Sequence, residues 1–184
     1  YKNVRSRLMI LTLLSTTTVS SASSAAITSN IDSTYDEYML VLTDFTGNTA
    51  DATTSWNAST DGGSNYNVSK TTTAFVAYHN ESGASYDVVY STTIDQAGTG
   101  DSGLFAHYKT DADASFAGII HLYDPSNTTY VKHFTTKGQG MQSNPQSNIQ
   151  ITAGYFNTTS AVNAVNFSVS SGTMSGVIQL YGVA

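Results

Sequence analysis

Short runs of strand-forming residues, each closed by a cluster of Gly, Asn, Asp or Ser, recur along this chain from end to end. In Tyr35–Phe45, Tyr38, Leu40 and Leu42 point one way, and Met39, Val41 and Thr43 the other, which is the two-residue period of a strand. Apolar residues on both faces place that strand in the middle of a sheet. The same reading gives strands within Thr49–Ser59, Tyr66–His79, Tyr86–Ile94, Leu104–Lys109, Ile149–Phe156, Ala161–Val169 and Gly176–Val183. Asp61-Gly62-Gly63 supplies the positive φ of a tight turn, while Gln96–Gly103 and Gly138–Ser147 read as loops. No stretch keeps a helical period. Roughly ten to twelve short strands at regular spacing predict an antiparallel two-sheet β-sandwich, jelly-roll-like, because open sheets of that many strands fold over on themselves.

One pair of segments stands out. Phe116–Phe134 reads as two strands around Asp124-Pro125-Ser126-Asn127, and Ile119-Ile120-His121-Leu122-Tyr123 in its first arm is echoed by Val177-Ile178-Gln179-Leu180-Tyr181 near the end. With a four-residue turn, Tyr123 pairs with Thr128, His121 with Tyr130 and Ile120 with Val131. Ile120 and Leu122 then point inward, His121 and Tyr123 outward, and His121 and His133 fall on opposite faces.

Composition supports the all-β reading. The chain has 25 Ser, 27 Thr, 12 Tyr and 7 Phe, residues that suit a pleated, half-buried surface, whereas Glu occurs only at positions 37 and 81. At 184 residues it forms one domain with an arm: residues 1–30 as an N-terminal strand or arm between subunits, residues 31–184 as the sandwich. Lys2, Arg5 and Arg7 precede an apolar run, Leu8–Leu14, in the manner of a secretory leader. That run is too short to span a membrane, and we read it as a retained strand; a secreted adhesin or enzyme would instead be cleaved near Ala26. Residues 8–124 hold all 13 acids against Lys70 and Lys109, a balance that disfavours nucleic acid.

The sequence motifs that could carry chemistry have simpler explanations. Gly98-x-Gly100-x-x-Gly103 matches a dinucleotide fingerprint, but Leu104-Phe105-Ala106 follows as a strand where a helix N-terminus is required. Gly100-Asp101-Ser102-Gly103 looks like a serine-nucleophile loop, yet no distant upstream His and orienting Asp accompany it. Cysteine is absent, which excludes disulfides, thiolate zinc sites and a cysteine nucleophile. In that register His121 and His133 do not share a metal, whereas a loop one residue longer would bring them to the same face; Asp111 with Asp113 lacks the glycine and distal Glu of a calcium loop. We therefore expect no cofactor, no metal and no catalytic residue. Trp56 and Tyr66 are the candidates for stacking on a sugar, against the alternative that they pack in the core. Asn57 and five other Asn-x-Ser/Thr sequons are the number expected by chance in so Asn-, Ser- and Thr-rich a chain.

Several segments together carry a resemblance: Ile31-Asp-Ser-Thr-Tyr-Asp-Glu-Tyr38, Asn57-Ala-Ser-Thr-Asp-Gly-Gly-Ser-Asn-Tyr-Asn67, Asn127-Thr-Thr-Tyr-Val-Lys-His-Phe134, Gly154-Tyr-Phe-Asn-Thr-Thr159 and Ile178-Gln-Leu-Tyr-Gly182. The chain resembles virion structural proteins of tailed bacteriophages, especially marine and cyanobacterial ones, from about residue 8 onward. The resemblance implies a β-sandwich of the capsid-decoration, head-fibre or tail-fibre type. Such a protein is a non-enzymatic homotrimer, assembled in the host cytoplasm and exposed on the particle with other virion proteins as partners, or a host-glycan-binding module at a fibre tip. Gln179 stands where such sequences usually carry Lys. Arg5, Arg7, Leu8, Ile10 and Leu13 are the expected anchoring and oligomerising strand.

Overall fold

The computed structural model describes residues 10–106, 113–141 and 146–184. Among the described residues the strands are β1 (Leu11–Ala22), β2 (Ser24–Ile27), β3 (Glu37–Gly47), β4 (Thr53–Ser59), β5 (Lys70–Asn80), β6 (Tyr86–Tyr90) and β7 (Ala97–Gly98). They continue with β8 (Ser102–Ala106), β9 (Phe116–Tyr123), β10 (Lys132–Met141), β11 (Gln146–Phe156), β12 (Ala164–Val169) and β13 (Met174–Val183). They form two antiparallel sheets, as the alternating pattern predicts. A nine-stranded sheet runs β1-β13-β3-β9-β10-β11-β5-β6, with β7 also on β5, and a four-stranded sheet runs β2-β12-β4-β8.

β3 sits near the middle of the larger sheet, between the two echoing strands. Ile120 faces Leu40 from one side while Leu180 faces it from the other. The repeat is therefore two copies of one strand solution around a shared neighbour. Tyr38, Leu40 and Leu42 point inward and are buried, as the alternation requires.

The hairpin after β9 departs from the expected register. Its connection is residues 124–131, and Phe134 faces Leu122, Thr135 faces His121 and Thr136 faces Ile120. Asp124 takes a φ of 44°, and Asn127 Oδ1 accepts the Thr129 and Tyr130 N–H groups at 2.7 and 2.8 Å. Tyr130 is thus held in the turn instead of entering a strand. β10 in consequence runs on to Met141, through glycines that the sequence assigned to a loop. The longer connection also turns His133 outward with His121: both occupy the outer face, which corrects the opposite-face expectation. Ile120 and Leu122 inward, with His121 and Tyr123 outward, is as expected.

Residues 10–27 add an edge strand to each sheet. β1 pairs with β13 along the larger sheet, and β2 pairs with β12 in the smaller one. The chain crosses between them at Ser21, whose φ is 47° and whose N–H donates to Ser175 Oγ at 3.0 Å.

The two inner faces meet in an aromatic core. Trp56 of β4 stands edge-on against Phe134 (5.0 Å between ring centres) and Phe156 (5.3 Å) of the opposite sheet. Phe105 stacks on Phe116 at 5.0 Å, and Phe116 meets Phe45 at 5.2 Å. Such ring pairs contribute about 0.5–1.5 kcal/mol each beyond their burial. Gly182 is required where Tyr35 lies flat on β13: a Cβ there would come within 2.4 Å of the Tyr35 ring.

Candidate functional site

Among the described residues the smaller sheet covers one face of the larger sheet and leaves the other open. Reading outward-facing residues across consecutive ladders gives the row Val41, Ile119, Lys137, Ile151, Phe75 and Tyr90 from β3 to β6. Only Lys137 interrupts its apolar character, and Ile119, Phe75 and Tyr90 are exposed. A parallel row begins with Leu13 on β1 and continues through Tyr181, Met39 and His121. Singly exposed apolar residues are ordinary; contiguous rows mark contact surfaces. An open groove of about 960 Å³ lies across the same face, with Val41, Ile119 and Met141 on its walls and Asp44, Glu81 and Asp113 among its acids. A shallower one of about 400 Å³ is bounded by Tyr123, His133 and Tyr155 over a floor of Ala153 and Gly154.

Among the described residues both ends of the large sheet are open edges, and both expose apolar side chains. At one end stand Ile10, Leu11 and Leu13; at the other Tyr86, Val88, Val89 and Tyr90. Unpaired edges of this kind are templates for association. Of the expected anchoring residues, Ile10 bonds Ala184 through both backbone groups (3.1 and 3.0 Å) and, like Leu13, keeps its side chain in solvent. Arg5, Arg7 and Leu8 lie outside the described residues.

The sequence candidates for chemistry are placed as follows. Trp56 is completely buried and offers no face to a sugar, which corrects its candidacy. Tyr66 is half-buried against the Asp61 loop, with its hydroxyl enclosed; burial, and then the Asp61 charge, push its phenol up. Asp61 itself accepts from Ser59 Oγ at 2.6 Å and from Asn65 N–H and Nδ2 at 2.9 and 2.7 Å. Those bonds hold its carboxyl down at about 2 and make the loop a rigid turn. Asn57 is buried too and donates to Thr99 O at 3.0 Å, so that sequon is structural. Gly98–Gly103 leads directly into β8, and Ser102 is fully buried within it. His121 Nδ1 lies 2.6 Å from Glu37 Oε1 on the outer face, an ion pair whenever the imidazole is protonated. Among the described residues no group of three or more His, Asp or Glu could hold a metal; Asp111 lies outside them, and Asp113 sits in an exposed turn.

Two buried lysines were not legible in the sequence. Lys132 Nζ donates to Tyr130 O (2.7 Å) and Thr158 O (3.1 Å), clamping two loops at one end of the sandwich. Lys70 Nζ donates to Gly100 O and holds the 99–101 loop down between the sheets. Burial lowers both ammonium groups against the smaller opposing pull of Asp101 on Lys70 and Asp124 on Lys132; Lys70 falls to about 8. Their ordinary value is 10.5, so from about pH 8 to 10 the unfolded chain binds more protons than the folded one. Stability should therefore rise with pH across that window. Above pH 10 the raised phenols of Tyr38 and Tyr66 oppose the gain, because the folded state then holds the extra protons. Urea midpoints measured from pH 7 to 10 should climb in the native chain and climb distinctly less in Lys70→Met. Equal slopes would show that Lys70 is not desolvated.

Compared with protein-family models, with curated proteins and with solved structures, the chain shows no significant match to any.

Proposed function

We propose that the chain is a non-enzymatic structural protein of a tailed-bacteriophage virion, a homotrimer that decorates the capsid or forms part of a head or tail fibre. The observation that carries this reading is the uncovered face of the larger sheet, whose apolar rows run between two open apolar edges. A surface of this kind is satisfied by packing against further copies and other virion proteins. The abundance of Ser, Thr and Asn in the chain lowers the side-chain entropy lost on packing, and closed symmetry is the usual outcome. In this reading Arg5, Arg7, Leu8, Ile10 and Leu13 anchor the subunit along the β1 edge. The resemblance from about residue 8 onward adds the virion setting, with assembly in the host cytoplasm and exposure on the particle. Mass spectrometry of purified particles, with cryo-EM localisation, tests it. The expected result is a stoichiometric surface component; recovery only from the particle-free lysate would refute it.

A second reading is host-glycan binding at a fibre tip. The groove between Tyr123, His133 and Tyr155 favours it, since two exposed rings and one half-buried ring over a small-residue floor suit a sugar face. Saturable glycan binding weakened by Tyr155→Ala would support that role, and a blank glycan array would remove it.

A further inference from the structure

β6 closes the larger sheet with five residues that are all exposed: Tyr86, Asp87, Val88, Val89 and Tyr90. Ser91 N–H donates to Ala74 O at 3.0 Å, and Ser85 O accepts from Asn80 N–H at 2.9 Å. Strand alternation then turns the backbone groups of Asp87 and Val89 toward β5 and leaves those of Tyr86, Val88 and Tyr90 facing outward. Tyr86, Val88 and Tyr90 have exposures of 69%, 68% and 58%. Their side chains share the outer face with Phe75 and His79, and His79 stacks on Tyr86 at 5.7 Å.

The strand also reads almost the same in both directions about Val88. We infer that β6 pairs antiparallel with β6 of a second copy about a twofold axis through Val88, joining two nine-stranded sheets into one. This rests on the reading of the chain as an assembling structural protein and adds a contact distinct from the β1 edge. In that register Tyr86 meets the partner's Tyr90 twice, and Val88 meets the partner's Val88. Both are positions where outward N–H and C=O groups exchange. Phe75, Tyr90, the partner's Tyr86 and the partner's His79 then form a ladder of rings across the seam, and aromatic cross-strand pairs are favourable. Asp87 faces the partner's Val89. Other two-residue registers are worse: one sets Asp87 against the partner's Asp87, and the other leaves Tyr86 unpaired. The Val88 N–H, held by Asp87 Oδ1 at 2.7 Å in the single subunit, exchanges that acceptor for the partner's carbonyl. A five-residue ribbon buries well under the roughly 800 Å² per partner of a standard interface, so the contact gains strength when copies are already arrayed.

The chain has no cysteine, which makes the register directly testable. Opposed residues of a hydrogen-bonded antiparallel pair lie about 5.5 Å apart at Cα, within disulfide range. Under mild oxidation the full-length Val88→Cys chain should form a covalent dimer several-fold faster than Val89→Cys or Tyr130→Cys. The last reports random collision from an exposed loop. Unchanged urea midpoints would show that all three variants fold. Equal rates overturn the self-pairing. If rates are equal while the native chain is a trimer, only this inference fails; if the native chain is also monomeric, the proposed function fails with it. Dimers formed from an otherwise monomeric chain keep this pairing and remove the trimer.

Discussion

Trp56→Ala should cost about 3–5 kcal/mol of stability, the range for removing a large buried aromatic whose cavity cannot collapse. Three features put Trp56 at the upper end. It is completely buried, it bridges the two sheets, and its ring contacts Phe134 and Phe156, which also contact each other at 4.9 Å. Truncation therefore opens a void bounded by rigid rings on β10 and β11, and no flexible side chain among them can swing in to fill it. Against a typical stability of about 5–15 kcal/mol, much of the native population is at stake. Urea unfolding followed by circular dichroism measures this, since the variant lacks the fluorophore. Trp56→Phe, which keeps a ring, should lose distinctly less. Trp56 is the chain's only tryptophan, so native fluorescence should be blue-shifted and resistant to aqueous quenchers. A red emission maximum, or a loss below about 1 kcal/mol in Trp56→Ala, would contradict a sandwich closed around this residue.

The second large effect concerns assembly. Leu11→Glu combined with Leu13→Glu should convert the proposed oligomer to monomer while leaving the urea midpoint nearly unchanged. Both side chains are exposed on the outer face of β1, whereas the strand is held through its ladder to β13, through Leu14 packed on the core and through buried Val19. Exposed substitutions usually move stability by no more than about 0.5 kcal/mol. Two carboxylates in an apolar contact, by contrast, are desolvated without partners and cost far more. Light scattering separates the outcomes: an unchanged mass in the double variant would place the subunit contact elsewhere.

How much of this could be read from the sequence depended on how local the determining physics was. Alternation in Tyr35–Phe45 located β3 and its inward face, because burial of Tyr38, Leu40 and Leu42 follows directly from the period of a strand. The register of the Phe116–Phe134 hairpin was not legible. Asn127 gathers two backbone N–H groups and stretches the connection to residues 124–131, an outcome fixed by turn geometry and by Lys132 gripping Tyr130 from below. Trp56 illustrates the ambiguity of an aromatic in a strand, since its side chain points to core or solvent according to which face the other sheet covers. The apolar outer row could have been suspected: Val41 and Ile119 make their strands apolar on both faces. A central position in the sheet seemed to account for that, yet among the described residues only one face of the sheet is covered. Lys70 and Lys132 gave no signal, because Gly100 and Thr158, whose carbonyls accept from them, lie 30 and 26 residues away in sequence.

The ends and open face of the larger sheet are proposed as surfaces for further copies. The mass of the native chain in solution, by light scattering or sedimentation across a range of concentrations, tests this proposal most directly. The expected mass is that of three copies of the 19.5 kDa chain, or twice that mass where β6 edges also pair. A single 19.5 kDa species at every concentration would contradict it.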